Sequence, residues 1–258
     1  MIKLIASDLD GTLLRKGAQS LEPEIFQLIN VLKEKGIFFV AASGRQYQNM
    51  RRLFRSVKND IAYICENGTL GVLNGDIFSE EHIPEEVGYA ALNAIQSIPE
   101  CELLLSARTT HYLENPSEKY EHHIRHVVGN DVVTVDDIFS VREPYLKISA
   151  CDFNGADHLE PYFQEHFSDR LNIALAGDIW LDMMPKGVHK GHALDKLLRQ
   201  LGIMPEECLA FGDQYNDMEM LKMCGLSYAM ADAVPGAIET ADDTTEDVIS
   251  TIKKVLNI

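Results

Sequence analysis

Two aspartates near the start of the chain, Asp8 and Asp10, stand one residue apart directly after an apolar run. Residues 2–7 predict a short buried strand, and Gly11 permits the sharp turn after it. Both carboxylates then project to the same side at the strand's carboxyl end, where ligands lie in open parallel α/β sheets. Carboxylates this close repel each other unless a cation lies between them, and Mg²⁺ suits such oxygens. The alternative is an ordinary Asp-Gly turn.

A second candidate lies where the next predicted strand, 37–42, ends in Ser43-Gly44. This is the same place in the fold as Asp8, because parallel strands end at one edge of their sheet. The Ser43 hydroxyl and the N–H groups of the following turn could hold a phosphate oxygen, as backbone amides at helix N-termini do. The alternative is that Ser43 only caps a helix that begins near Gln46.

A third candidate follows the predicted strand 209–211, which ends in two further acids and an amide. Asp213 stands where the strand stops and can complete the oxygen ligands of a cation bound by Asp8. Asn216 and Asp217 fall in the next turn, where they could ligate through water or orient other groups. Taken alone, this segment could be a capped helix start. Its recurrence at a matching strand end favours the chemical interpretation.

A fourth candidate is Lys190, at the start of a predicted helix. The helix dipole disfavours a cation there, so a lysine at this position indicates a nearby anion. Lys186, two residues after a predicted strand, fits an ordinary surface position. We therefore assign the anion-binding role to Lys190.

The order of predicted elements describes the scaffold for these groups. The first eighty residues read as a β-α-β-α-β unit, hence a parallel sheet, and a helix at 21–35 turns Ile25, Leu28, Ile29 and Leu32 inward. From about Pro84 the pattern becomes a separate α+β layer, and after Pro185 the βα alternation returns. The layer is predicted from these elements: a helix to about 98, strands at 101–107, 146–151 and 180–184, and helices at 117–126 and 155–167. A module of about 100 residues is thus inserted into a parallel-sheet core.

Size and charge limit the classes of function. The chain has 258 residues, 46% of them hydrophobic, which is enough for one large or two modest cores. Its formal net charge of −17 argues against a nucleic-acid or anionic-membrane partner. No apolar stretch reaches the ~20 residues that span a bilayer, so we expect a cytoplasmic protein. The five cysteines are far apart and lack a Cys-x-x-Cys pair, so we expect reduced thiols.

Together the four segments resemble the haloacid dehalogenase superfamily of Mg²⁺-dependent phosphotransferases, and within it the Cof-type phosphatases with a C2 cap. The family's four motifs are matched, in order, by Asp8-Leu9-Asp10-Gly11-Thr12-Leu13-Leu14, by Ser43 in Ala-Ser-Gly-Arg, by Lys190 in Gly-Val-His-Lys-Gly-His-Ala-Leu, and by Gly212-Asp213-Gln214-Tyr215-Asn216-Asp217. The resemblance implies a Rossmann-like core at 1–83 and 185–258, with an α+β cap at 84–184 that selects the substrate.

The resemblance also implies a role for each residue. Asp8 would attack phosphorus to give an aspartyl-phosphate, and Asp10 would act as general acid and then general base. Mg²⁺ would bind the Asp8 carboxylate, the Asp10 backbone carbonyl and Asp213, with Asp217 supporting them. The residues expected to hold the phosphoryl group are Ser43, Gly44, Lys190 and Asn216. Arg45 and Asn67 are possible substrate contacts, although Asn67 could equally belong to a simple turn.

Two positions depart from the family pattern without removing a catalytic group. His189 replaces the small hydroxyl residue usual before the lysine, and Asp232 stands where asparagine is more typical. The expected activity is hydrolysis of small phosphorylated metabolites such as sugar phosphates, with no nucleic-acid or membrane partner. A phosphomutase with the same aspartyl-phosphate chemistry and a non-catalytic ligand-binding protein of the same fold are the alternatives.

Overall fold

The computed structural model describes the backbone of residues 1–258 and every side chain except that of Lys16. The chain divides into two compact units: the first combines Met1–Ser79 with His189–Ile258, and the second is Glu80–Val188. The module at 84–184 that the sequence predicts falls within the second unit.

The strands are β1 (Leu4–Asp8), β2 (Phe38–Ala42), β3 (Ala62–Cys65), β4 (Leu70–Leu73), β5 (Asp76–Glu80), β6 (Glu102–Ala107), β7 (His111–Glu114), β8 (Val132–Val135), β9 (Tyr145–Cys151), β10 (Leu171–Leu175), β11 (Trp180–Pro185), β12 (Cys208–Gly212), β13 (Leu226–Met230) and β14 (Asp243–Thr245). The α-helices are α1 (Pro23–Glu34), α2 (Tyr47–Leu53), α3 (Glu85–Gln96), α4 (Glu118–His122), α5 (Glu160–Phe167), α6 (Lys190–Leu201), α7 (Met218–Met223), α8 (Pro235–Thr240) and α9 (Val248–Leu256). Among the described residues, no helix has the length and apolar content needed to cross a membrane.

The first unit is built on a sheet with strand order β14-β13-β12-β1-β2-β3-β4-β5. Neighbouring strands from β14 to β3 pair in parallel, and β4 runs antiparallel to β3. In the register, Asp8 lies beside Ala42 of β2, and Ser7 lies beside Phe211 of β12. The ends of β1, β2 and β12 therefore meet at one edge, so the residues that follow them are brought together.

Helices cover this sheet because each carries an apolar stripe. In α1 the buried residues are Ile25, Leu28, Ile29 and Leu32, which confirms the predicted inward face. On one side of the sheet, Ala193, Leu194 and Leu197 of α6 pack with alternate residues of β1, β2 and β3. This packing fixes α6 against the sheet, and with it the position of its first residue, Lys190.

The second unit contains a sheet with strand order β10-β11-β9-β6-β7-β8. Its strands pair antiparallel, except that β7 and β8 run parallel. Helices α3 and α5 bury their apolar residues against one face of the sheet, in a core that includes Leu92, Phe163 and Ile148. The α+β character predicted for this segment is confirmed.

Some elements differ from the sequence predictions. The helix expected at 117–126 is instead α4 followed by a π-helical turn, His123–Val128, which ends at Gly129 with a φ of 76°. Strands β7 and β8 were not predicted; each has only four residues, and in β8 only Val132 is buried. Strand β14 was also missed. It is a polar edge strand that pairs with β13 through its backbone, so its burial pattern carries no signal.

Candidate active site

The carboxyl end of β1 places Asp8 next to Lys190. The Lys190 side chain is 1% exposed, and its Nζ donates to Asp8 Oδ1 at 2.6 Å and to Asp217 Oδ1 at 2.7 Å. Burial alone lowers the pKa of Lys190, but the carboxylates of Asp217 and Asp8 outweigh burial and raise it above its ordinary value. The lysine is therefore a buried cation held between two carboxylates.

Asp217 is oriented from its other side by the backbone. Its Oδ2 accepts the N–H of Asp213 at 2.9 Å and the N–H of Gln214 at 3.0 Å. These bonds close the turn between β12 and α7 around the carboxylate. Each oxygen of Asp217 thus has a defined partner, which suits the supporting role that the resemblance implies.

Three buried carboxylates, those of Asp8, Asp213 and Asp217, offer oxygens that lie within 4.8 Å of one another. Burial raises the pKa of Asp8 well above its usual range; Lys190 lowers it in part, and the neighbouring Asp217 and Asp213 raise it further. Burial also raises the pKa of Asp213, which a hydrogen bond from Thr12 partly opposes. Three carboxylates share one ammonium, so when all three are ionised their negative charge exceeds the positive charge of Lys190.

This donor set fits a divalent cation. The ligands are hard oxygens, and a charge of +2 would balance what Lys190 leaves uncompensated. Asn216, which precedes Asp217, has a buried Oδ1 without a hydrogen-bond partner among the described residues, while its Nδ2 donates to Asn67 Oδ1 at 3.0 Å. An unsatisfied buried acceptor beside a carboxylate cluster is a further feature that a cation would complete.

The loop after β1 approaches Asp213 closely at Gly11. Gly11 has a φ of +89°, and a Cβ at this position would lie 2.2 Å from Asp213 Oδ2. Thr12 Oγ1, one residue later, donates to Asp213 Oδ1 at 2.7 Å. Thr12 was not predicted as a site residue. The sequence did offer a signal for this role, because Thr12 carries a hydroxyl and directly follows Gly11, the glycine that permits the close approach.

Asp10 lies apart from the carboxylate cluster and forms an ion pair with the guanidinium of Arg45. Arg45 Nε donates to Asp10 Oδ2 at 2.8 Å, and Arg45 Nη2 donates to Asp10 Oδ1 at 2.7 Å. Ser43 Oγ also donates to Asp10 Oδ2, at 3.4 Å. The structure therefore places Arg45 on Asp10, a contact that sequence reasoning did not foresee.

Ser43 is buried and does not cap helix α2, so the capping alternative was wrong. Its Oγ accepts the N–H of Arg45 at 3.2 Å, and the N-cap of α2 is Gln46, without a side-chain bond. Beside it, a Cβ added to Gly44 would lie 3.0 Å from Asn67 Oδ1. Ser43, Gly44, Asn67 and Asn216 thus form one side of the site.

The fold and the site can be compared with known proteins. The sequence model of a family described as haloacid dehalogenase-like hydrolase matches residues 5–250. The chain belongs to this family. A curated relative, the 5-amino-6-(5-phospho-D-ribitylamino)uracil phosphatase YbjI of Escherichia coli (strain K12), is 30% identical over 273 residues, which cover 99% of this chain and 96% of YbjI.

Solved structures share the fold of this chain. A crystal structure from Eubacterium rectale shares 31% identity with a TM-score of 0.88, covering 98% of this chain and 99% of that chain. The sugar phosphatase BT4131, of subclass IIB, has the same fold with a TM-score of 0.85 at 21% identity, covering 99% of this chain and 100% of that chain. The predicted family, fold class and enzyme class, a phosphoric monoester hydrolase, are confirmed.

Proposed function

We propose that this enzyme is a Mg²⁺-dependent phosphatase that hydrolyses small phosphorylated metabolites through an aspartyl-phosphate on Asp8. The observation that carries the proposal is the buried ammonium of Lys190, which contacts both Asp8 and Asp217 within a cluster of three carboxylates. A nucleophilic carboxylate, a fixed cation and an oxygen-rich cation site in one place are the groups that phosphoryl transfer requires.

The residues suited to Mg²⁺ are the carboxylates of Asp8 and Asp213 and the backbone carbonyl of Asp10, supported by Asp217. Thr12 holds Asp213 from outside the carboxylate cluster. When bound, the ion would supply positive charge that offsets the charge developing on the phosphoryl oxygens. The remaining steps are assigned to side chains of the chain itself.

Asp8 begins the reaction, because one of its oxygens can form a bond to phosphorus while the ester P–O bond breaks. Lys190 keeps the carboxylate in place and, with Ser43 and the Gly44 turn, offers donors to the phosphoryl oxygens. Asp10 gives a proton to the leaving oxygen. It then takes a proton from the water that attacks the aspartyl-phosphate, which releases phosphate and restores Asp8.

The substrate class is inferred from the name of the relative YbjI and from the family resemblance. YbjI is named for a substrate whose phosphate sits on a ribityl chain. We infer that this enzyme also takes a phosphate monoester of a polyol or sugar. The module at 84–184 is assigned to substrate selection, as the family resemblance implies.

Phosphate release from a panel of sugar, polyol, nucleotide and cofactor monophosphates tests the proposal. Each compound is assayed with and without Mg²⁺, using wild type, Asp8→Asn and a surface control, Asp169→Asn, whose side chain is 75% exposed. We expect Mg²⁺-dependent release that Asp8→Asn abolishes and Asp169→Asn leaves intact. Release that survives Asp8→Asn would exclude Asp8 as nucleophile. Turnover only with a bisphosphate activator would support a phosphomutase instead.

A further inference from the structure

Asp10 and Arg45 form a two-point ion pair at the edge of the site. Both oxygens of the Asp10 carboxylate accept from the guanidinium, at 2.7 and 2.8 Å. The Asp10 side chain is nevertheless 52% exposed, whereas Arg45 is 19% exposed. The pair therefore fixes the plane of a carboxylate that still has solvent-facing lone pairs.

Arg45 is itself held by its surroundings. Its Nη1 donates to Oδ1 of Asn49, a buried residue of α2, at 3.1 Å. Its backbone N–H donates to Ser43 Oγ at 3.2 Å, and Ser43 Oγ in turn donates to Asp10 Oδ2. The guanidinium is thus held by a residue of α2, and the backbone of Arg45 by Ser43 at the end of β2, so the side chain can act as a rigid support for Asp10.

The pair also explains why two aspartates one residue apart take different places. Asp8 lies in the buried cluster with Asp213 and Asp217, but the Asp10 carboxylate is turned toward Arg45. A loose carboxylate so close to a cation site would be drawn to the ion as a further ligand. The opposite charge of Arg45 provides a competing partner that keeps Asp10 outside the cluster.

We propose that Arg45 is a positioning residue that orients the Asp10 carboxylate for proton transfer to the leaving oxygen, rather than a contact to the body of the substrate. This inference rests on the proposed function. As the ester P–O bond breaks, its electron pair stays on the leaving oxygen, which takes the proton carried by Asp10. Asp8 forms the new bond to phosphorus. Arg45 exchanges no atom, and its contribution is the direction of the Asp10 carboxyl group.

This role needs the planar fork of arginine and not only its charge. A lysine ammonium is a point charge that can satisfy one oxygen at a time and leaves the carboxylate plane free to rotate. Arg45→Lys therefore keeps a cation near the phosphate and removes the orientation. Arg51→Lys is the matched control, because Arg51 on α2 bonds the Tyr47 hydroxyl and Asn59 Oδ1 instead of an acid of the site.

The test uses two substrates that differ in their need for a proton donor. p-Nitrophenyl phosphate releases the p-nitrophenolate anion, which leaves without protonation. Glycerol phosphate releases a glycerol alkoxide, which must be protonated as it leaves. The measured quantity is kcat/KM, which reports the step in which the leaving group departs. The enzymes compared are wild type, Arg45→Lys, Arg45→Gln, Asp10→Asn and Arg51→Lys, with Mg²⁺ at saturation.

We expect Arg45→Lys to lose about tenfold or more in kcat/KM on glycerol phosphate, part of the 10²–10⁴-fold typical of general acid catalysis. Its kcat/KM on p-nitrophenyl phosphate should stay close to wild type, which also shows that the variant is folded. Asp10→Asn should show the same selectivity with a larger loss, and Arg51→Lys should match wild type on both substrates.

Equal losses on both substrates in Arg45→Lys, or losses that appear only as a raised KM in Arg45→Gln, would overturn the inference and indicate a substrate contact. Unchanged activity in both Arg45 variants would overturn it too. If Asp10→Asn itself showed no dependence on the leaving group, the acid role of Asp10 in the proposed function would fail. That result is separate from a failure confined to Arg45.

Discussion

Lys190 Nζ lies 2.6 Å from Asp8 Oδ1, although the two residues are 182 positions apart and both are buried. A buried charge is costly unless it is paired, so this contact stabilises both side chains in the same place. Asp217 accepts a second bond from the same ammonium. Asp8, the proposed nucleophile, and its cation are therefore set in position by the folded protein before any substrate arrives.

Replacing Lys190 by methionine should destabilise the protein, because it leaves Asp8 and Asp217 buried without their cation. We expect the free energy of unfolding to fall by about 3–5 kcal/mol in metal-free buffer. Mg²⁺ should restore part of this loss. Denaturant unfolding with and without Mg²⁺ measures both effects. Lys33→Met, which breaks an exposed pair with Asp60, is the control, with an expected cost of at most about 1 kcal/mol. A loss no larger than the control's would contradict the prediction.

Thr12 is expected to tune the cation site through Asp213. Thr12→Val keeps the shape of the side chain and removes the hydrogen bond to Asp213 Oδ1. Outer partners of metal ligands typically contribute about 10–100-fold to metal affinity. We therefore expect the Mg²⁺ concentration for half-maximal activity to rise by a factor in that range. Thr240→Val, which removes a bond to the Gly236 carbonyl inside α8, should leave this concentration unchanged. An unshifted Mg²⁺ titration for Thr12→Val would argue against the role.

Mg²⁺ binding should release protons, because burial raises the pKa values of Asp8 and Asp213 in the metal-free protein. The folded chain then binds more protons than the unfolded chain between the ordinary and the raised values. These two groups therefore make the free energy of unfolding fall as pH rises through that window. The ion requires deprotonated carboxylates, so its affinity should rise with pH. Calorimetry in buffers of different ionisation enthalpy measures the protons released. A pH-independent affinity without proton release would refute the prediction.

A buried ion pair in the second unit should matter for stability. Lys147 Nζ lies 3.1 Å from Asp182 Oδ2, and Ser149 Oγ donates to Asp182 Oδ1 at 2.6 Å. Lys147→Met leaves Asp182 buried without this cation, so we expect a loss of about 3–5 kcal/mol in the free energy of unfolding. Arg170→Met breaks an exposed pair in the same unit and serves as the control. Urea denaturation compares the two variants, and equal midpoints would show that the Lys147 pair contributes little.

Much of the site could be predicted because strand ends are visible in the sequence. Asp8, Ser43 and Asp213 each follow an apolar run, and parallel pairing brings the ends of such runs to one edge. Helix α1 was equally visible, since its apolar period matches its buried face. These inferences hold because the spacing of apolar residues along a helix or strand, and the edge at which parallel strands end, do not depend on distant side chains.

Other features could not be predicted from local pattern. Strand β14 is polar along its length, and only its pairing with β13 makes it a strand. The π-helical turn His123–Val128 follows a sequence that reads as a continuous helix. For β14, tertiary pairing decides between backbone states that the local sequence leaves nearly equal.

The sequence by itself determined the family, the fold class and the set of groups proposed to carry the chemistry, because those follow from residue types at strand ends. The tertiary structure decided how those groups pair. It placed Lys190 between Asp8 and Asp217, set Thr12 on Asp213, and turned Asp10 toward Arg45. Such pairings depend on distances of a few ångströms between side chains far apart in the chain, and those distances exist only once the sheet and its helices have packed.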